Sequence, residues 1–172
     1  RNILDDAHRL DRLVTRLLEL SRVEADLSPE TTLDLCDVVR DACSARHDPR
    51  IHLGIPSFPV TRTGRPAQLV SAVGNLVDNA LQHAAPGTEV TVRLDSTPDA
   101  AVLEVHNHGA PIPDANRDRL WDRFFTTRPG DGGTGLGLPI VRAVAQSHGG
   151  TATLVRSDAD AGTTFRLTLP VA

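Results

Sequence analysis

Aromatic side chains are almost missing from this chain: Phe, Trp and Tyr together make up 3% of 172 residues, and the formal charge is −4. A nucleic-acid surface is built from basic stripes and stacking rings, so that class of function is excluded. Long apolar runs are missing too. Nothing approaches the ~20 residues of a membrane span, and no signal-peptide pattern is present, so no membrane contact by this stretch is expected. The chain opens on Arg1 rather than Met, and a fragment of a longer protein is expected, whose own membrane attachment is left open. Cysteine is scarce: Cys36 and Cys43 stand seven apart in a helical pattern with no C-x-x-C. That spacing argues against zinc and for two half-buried thiols in a reducing compartment. His106 and His108 leave the same face of a strand, but no third ligand is placed near them to complete a metal centre.

A hydrophobic content of 40% is enough for the core of one domain. Residues 3–25 predict one helix, with Ile3, Leu4, Leu10, Leu13, Val14, Leu17, Leu18 and Leu20 at three- and four-residue steps. Its apolar seam suits another helix, from a second subunit or from its own domain. A linker is expected over 28–33, a helix over 34–46, strands near 51–55 and 58–63, and a long helix from Gly64 to Ala84. Strands 89–95 and 101–107, a loop-rich region, a helix over 136–148 and closing strands 151–157 and 163–169 complete the pattern. Helices and hairpins mix without β-α-β alternation, which predicts an α+β fold with an antiparallel or mixed sheet and helices on one face.

Four segments carry chemistry. In the long helix, Gln68, Ser71, Asn75, Asn79 and Gln82 share one narrow stripe, flanked by Asp78. Asparagine is a poor helix former, so two in mid-helix need a reason. Amide oxygens offered to a hard cation and its phosphates are one reason, and a solvated polar stripe is the other. Next, a strand ends at Asn107 and is redirected by Gly109, Pro111 and Pro113, leaving a side-chain carbonyl able to accept from a base's amino group. Then Trp121, Phe124 and Phe125 hold three of the five aromatic rings ahead of a glycine stretch, as an anchor under a mobile lid over 126–134 or as a local plug. Last, Gly132-Gly133-Thr134-Gly135-Leu136-Gly137-Leu138 runs straight into an apolar helix. Glycine backbone amides at a helix start make a phosphate cradle, although a flexible turn has the same composition.

Taken in this order, the segments resemble the catalytic ATP-binding domain of sensor histidine kinases. Asn75 to His83 is similar to the asparagine box of that family, and Asn107-His-Gly109-Ala-Pro111 to its first glycine box. Phe124-Phe125 is similar to the phenylalanine box, and Gly133 to Leu138 to the second glycine box. Residues 1–27 resemble the second helix of the dimerisation and phosphotransfer domain, with the catalytic domain at 28–172.

The resemblance implies a two-layer α/β sandwich of the Bergerat ATP-binding type, with a mixed, mostly antiparallel sheet packed against helices and an N-terminal helical extension. It implies Mg2+ and ATP as cofactors, with Asn79 as the metal ligand and Asn75 beside it as the catalytic pair. Gln82, His83, Asn107, Gly109, Pro111, Ile112, Phe125 and Thr126 would contact the nucleotide with Gly133, Thr134, Gly135, Leu136, Gly137 and Leu138. Three positions depart from the family pattern: Asn107 for an aspartate, Pro111 for the second glycine of its box, and Gln82 for a frequent basic residue. The related gyrase and heat-shock ATPases carry a glutamate where Asn75 stands, and an amide cannot be a general base. The implied partners are the chain's own dimerisation domain and, indirectly, a response regulator, in a homodimeric parent at a cytoplasmic location. His8 lacks the acidic neighbour of a phosphoacceptor, so the accepting histidine would lie outside the chain. A water-splitting ATPase and a docking module without nucleotide binding are the alternatives.

Overall fold

A computed structural model describes residues 3–25, 29–127 and 133–170. In chain order the elements are α1 (Ile3–Ala25), β1 (Thr31–Asp34), α2 (Leu35–Ser44), β2 (Ile51–Gly54), β3 (Thr61–Gly64) and α3 (Pro66–His83). They continue with β4 (Val90–Ser96), β5 (Ala100–Asn107), α4 (Asp114–Arg117), α5 (Gly137–Ser147), β6 (Thr151–Asp158) and β7 (Gly162–Pro170). Among the described residues no helix is long and apolar enough to cross a membrane.

The main sheet has the order β2-β4-β5-β7-β6, with β2 parallel to β4 and every other pair antiparallel. Strand alternation builds its inner face in rows. Leu103 lies opposite Leu94 and Leu167, and Val105 opposite Val92 and Phe165. The next row, Val90, Asn107 and Thr163, turns polar. α2, α3 and α5 cover this face and form one core with it, so the fold is a two-layer sandwich. The last part of the expected 28–33 linker, from Thr31, is instead the strand β1, which pairs with β3 in a separate two-stranded ladder.

Local chemistry explains the helix ends and contacts. Asp34 caps α2: its Oδ1 accepts the Cys36 and Val60 amides, each at 2.9 Å. Cys36 and Cys43 are fully buried rather than half-buried, because α2 turns both toward the core. Burial pushes the Cys43 thiol up to about 11. Pro66 opens α3, where its missing N–H has no helical partner to lose. Gly74 answers a packing need in mid-helix, since a Cβ there would lie 2.3 Å from Arg46 Nη2. Through that notch the Arg46 guanidinium donates to both carboxylate oxygens of Asp78, at 2.9 Å each, tying the end of α2 to α3.

α1 divides its apolar residues between two faces. Leu20 and Val23 are buried on the chain's own domain, where α1 packs against α5. Leu10, Val14, Leu17 and Leu18 form an exposed stripe on another side of the helix. The side chain of His8 lies outside the described residues.

Candidate active site

The polar row at the end of the sheet opens into a cavity of about 1000 Å3 between α3, the loop after β5, the Phe124–Phe125 segment, the start of α5 and one face of α1. α3 contributes Asn75, Asn79, Gln82 and His83 to its wall, one helical turn or less apart. Asn75 is only 4% exposed, so the stripe is not a solvated face at its middle, although Gln82 near its end is exposed. Its Nδ2 group donates to the carbonyl and hydroxyl oxygens of Ser71, at 2.9 and 3.3 Å. Asn79 is half-buried one turn further on. Gln68, at the far end of the same stripe, is buried against α5, where its Oε1 accepts from the Ser147 hydroxyl at 3.2 Å.

Asn107 ends β5 at 3% exposure and lines the cavity floor. The loop after it is held from two sides. Ala85 N–H at the end of α3 donates to the His108 carbonyl at 2.7 Å, and Ile112 N–H donates to the Ser157 hydroxyl of β6 at 2.8 Å. Ser157 in turn bonds Thr163 at 2.7 Å, so Ile112 and Thr163 are fixed together on the wall. Pro111 lines the same side.

The glycine segment meets the phenylalanine segment backbone to backbone. Phe124 N–H donates to the Gly135 carbonyl at 2.9 Å, and a Cβ on Gly135, whose φ is +67°, would lie 2.4 Å from the Phe124 carbonyl carbon. Phe125 faces the cavity with the Arg119 guanidinium 4.5 Å from its ring centroid. Gly133, Thr134, Gly135, Gly137 and Leu138 line the opposite wall, with Thr126 and Thr127 beside them. α5 begins at Gly137 with no side-chain cap, so its first amides point outward from the helix end, the arrangement that suits an anion.

Two expected contacts fall elsewhere. Leu136 is fully buried in the core, because the chain turns its side chain inward as the helix starts. Gly109 lies off the cavity wall, and its missing side chain lets the loop pass α3: a Cβ would sit 2.1 Å from the His83 carbonyl oxygen. The middle of the expected lid, 128–132, lies outside the described residues. His106 and His108 face each other with Nε2 atoms 3.5 Å apart. Burial, then the neighbouring His108 and Arg156, hold the His106 imidazole below its ordinary value. Among the described residues no three His, Cys, Asp or Glu side chains are grouped to hold a metal ion.

The cavity also has walls that motif reading missed. Thr163 and Phe165 of β7 line it, and strand alternation with the inward Leu167 and Leu169 carried that signal. Asp11, Arg12, Thr15 and Arg16 of α1 line it as well, which depends on where α1 docks.

The comparisons with known proteins agree with this geometry. Residues 64–172 match the family model described as histidine kinase-, DNA gyrase B-, and HSP90-like ATPase. The chain belongs to this family. The domain is 31% identical to a solved mycobacterial sensor histidine kinase, MprB, with a TM-score of 0.71 over 82% of this chain and 97% of that one. It is 29% identical to the ATP binding domain of PrrB from Mycobacterium tuberculosis, with a TM-score of 0.66 over 84% of this chain and 99% of that one. Among curated relatives, the probable sensor histidine kinase TcrY of Mycobacterium tuberculosis is 37% identical over 98% of this chain. The chain spans 37% of TcrY's length. The domain is therefore the ATP-binding catalytic domain of a histidine kinase, and its cavity lies where the four sequence segments meet.

Proposed function

We propose that the domain holds Mg2+-ATP in this cavity and presents the γ-phosphoryl group to a histidine on its own dimerisation and phosphotransfer domain, outside this chain. The observation that carries the reading is the convergence of Asn75, Asn79, Asn107 and the segment from Gly133 to Leu138 on one cavity of about 1000 Å3. In this reading Asn107 accepts from the adenine amine, and Ile112, Gln82, His83 and Phe125 surround the base and sugar. The glycine segment, with the start of α5, takes the phosphates.

The donor set fits magnesium. Mg2+ is held through one or two protein oxygens together with waters and substrate phosphates, and it needs no all-protein cage. Asn79 supplies such an oxygen, with Asn75 beside it. The bound ion would neutralise charge on the phosphates, so that catalysis is positioning and electrostatics. Asn75 has no basic atom with which to activate water, so the domain keeps ATP for another nucleophile.

Residues 1–27 belong, in this reading, to the second helix of the dimerisation domain, and 28–172 are the catalytic domain. The exposed stripe of Leu10, Val14, Leu17 and Leu18 suits a helical partner in a homodimeric parent. A response regulator would then receive the phosphoryl group in a two-component system in the cytoplasm.

Calorimetric titration with a non-hydrolysable ATP analogue tests the reading. With Mg2+ present, Asn79→Ala should weaken binding at least tenfold, about 1.4 kcal/mol, and circular dichroism should show the fold intact. Removing Mg2+ should narrow the gap between wild type and variant. Equal affinities in the presence of Mg2+ would sink the assignment.

A further inference from the structure

α1 reaches the cavity through a chain of polar contacts as well as by lining it. Arg16 of α1 pairs with Glu19 at 2.9 Å and with Asp78 of α3 at 3.5 Å. Glu19 in turn accepts the hydroxyl proton of Ser71. Ser71 stands one turn before Asn75 and receives the Asn75 Nδ2 group on both its carbonyl and its hydroxyl oxygen. Next to Glu19, Leu20 is 2% exposed, so this turn of α1 is held firmly on the domain.

We propose that Glu19, acting through Ser71, is a positioning residue for Asn75, so that the seating of α1 sets the orientation of the amide that faces the nucleotide. This rests on the reading of Asn75 as a nucleotide-facing residue.

The logic is that of hydroxyl valence. A serine hydroxyl has one proton and two lone pairs, and a carboxylate can only accept. With Glu19 in place the Ser71 proton is committed to it, and Ser71 offers Asn75 two acceptors and no donor. Only the Nδ2 side of the amide can use them. The amide oxygen is then turned toward Gly137 at the start of α5, where an added Cβ would lie 3.3 Å from Oδ1.

With Glu19 gone, the hydroxyl can rotate to donate. A flipped amide then meets one donor and one acceptor instead of two acceptors, and the preference for the outward oxygen drops by about one hydrogen bond. The population of the flipped amide then rises by up to about fivefold, and affinity for Mg2+-nucleotide falls by no more than that factor. Lifting α1 from the domain has the same effect as deleting Glu19, because the carboxylate leaves with the helix.

The test compares Glu19→Ala, Ser71→Ala, Glu19→Ala/Ser71→Ala, Ser71→Thr and Asn75→Ala in the whole chain. Affinity for a non-hydrolysable ATP analogue with Mg2+ is measured by calorimetry, and the Asn75 side-chain amide is followed by 1H–15N NMR without nucleotide. Glu19→Ala and Ser71→Ala should each raise the flipped Asn75 population up to about fivefold and weaken binding by no more than that factor. The double variant should be no worse than either, because both break one relay. Ser71→Thr keeps a hydroxyl and should bind like wild type. The Asn75 amide resonances should move in Glu19→Ala, which a purely structural role, visible only in the melting temperature, would not cause. Additive losses in the double variant, or an unmoved Asn75 amide in Glu19→Ala, would overturn the positioning role. Unchanged affinity in Asn75→Ala would instead remove the reading of Asn75 beneath it.

Discussion

Replacing Gly135 by alanine adds one methyl group and should cost most of the nucleotide affinity while sparing the fold. Two penalties act at this position. The backbone φ is +67°, where a residue with a Cβ is strained by about 1 kcal/mol. The new Cβ would also lie 2.4 Å from the Phe124 carbonyl carbon, a backbone atom that cannot swing aside like the end of a side chain. In the free protein the segment can relieve both by leaving its seat, giving up the Phe124–Gly135 hydrogen bond of 2.9 Å, worth about 1 kcal/mol. A nucleotide has to restore the seat before it can bind, which regains the hydrogen bond but meets the strain and a backbone clash of about 2 kcal/mol. A balance of roughly 2 kcal/mol, about thirtyfold, should appear as lost affinity. Gly87→Ala is the control. Its φ is +75°, but nothing lies within 4 Å of the added Cβ, and it does not line the cavity. It should lower stability by about 1 kcal/mol and leave affinity alone. Calorimetry with an ATP analogue and thermal denaturation on both variants decide the matter. Wild-type affinity in Gly135→Ala, or an equal loss in both, would refute the argument.

Asn107→Asp restores a charged acceptor at the cavity floor, and bonds to charged groups are worth roughly 1 kcal/mol more than neutral ones. ATP and ADP should bind about fivefold tighter while GTP gains nothing; weaker ATP binding would mean that residue 107 does not meet the adenine amine. At Asp34, burial acts to raise the carboxyl, and the hydrogen bonds from the Cys36 and Val60 amides more than reverse this, leaving it below 3.8. A carboxylate held low in the fold stabilises fully above its unfolded value and loses that contribution as pH falls toward the folded one. Asp34→Ala should therefore cost about 1 kcal/mol at pH 7 in urea denaturation, with a gap that shrinks below pH 4. A gap independent of pH would show that the capping carboxylate is not what holds the start of α2.

Much of this architecture could be read without coordinates, because its signals are local. The β-branched and apolar run of Val102, Leu103 and Val105 marks β5, and the stripe of Gln68, Ser71, Asn75, Asn79 and Gln82 marks the face of α3 that meets the cavity and α5. What escaped was non-local. β1 has one apolar residue, Leu33, and is a strand because β3 pairs with it from thirty residues away, at Thr31 with Gly64 through Asp34 with Thr61. Gly74 stands in mid-helix because the packing of Arg46, distant in sequence, leaves no room for a Cβ. Of the two leucines among these glycines, Leu138 lines the cavity while Leu136 turns into the core, a difference set by packing rather than by the motif. The α1 residues that wall the cavity carry no motif, since their role follows from docking alone.

The two ends of the cavity are built to different standards of permanence. Asn107 and Thr163 are cross-strand partners in β5 and β7, inner strands of the sheet, while the Phe124–Gly135 junction joins two irregular segments. Backbone in the middle of a sheet opens only with the whole domain, whereas such junctions open on their own. On the proposed reading of the site, discrimination between bases is therefore set before any ligand arrives and should vary little with temperature or crowding. On the same reading the grip on the phosphates would be assembled at each binding event, so the lifetime of the complex, rather than its choice of base, is where changes in the rest of the protein would be felt.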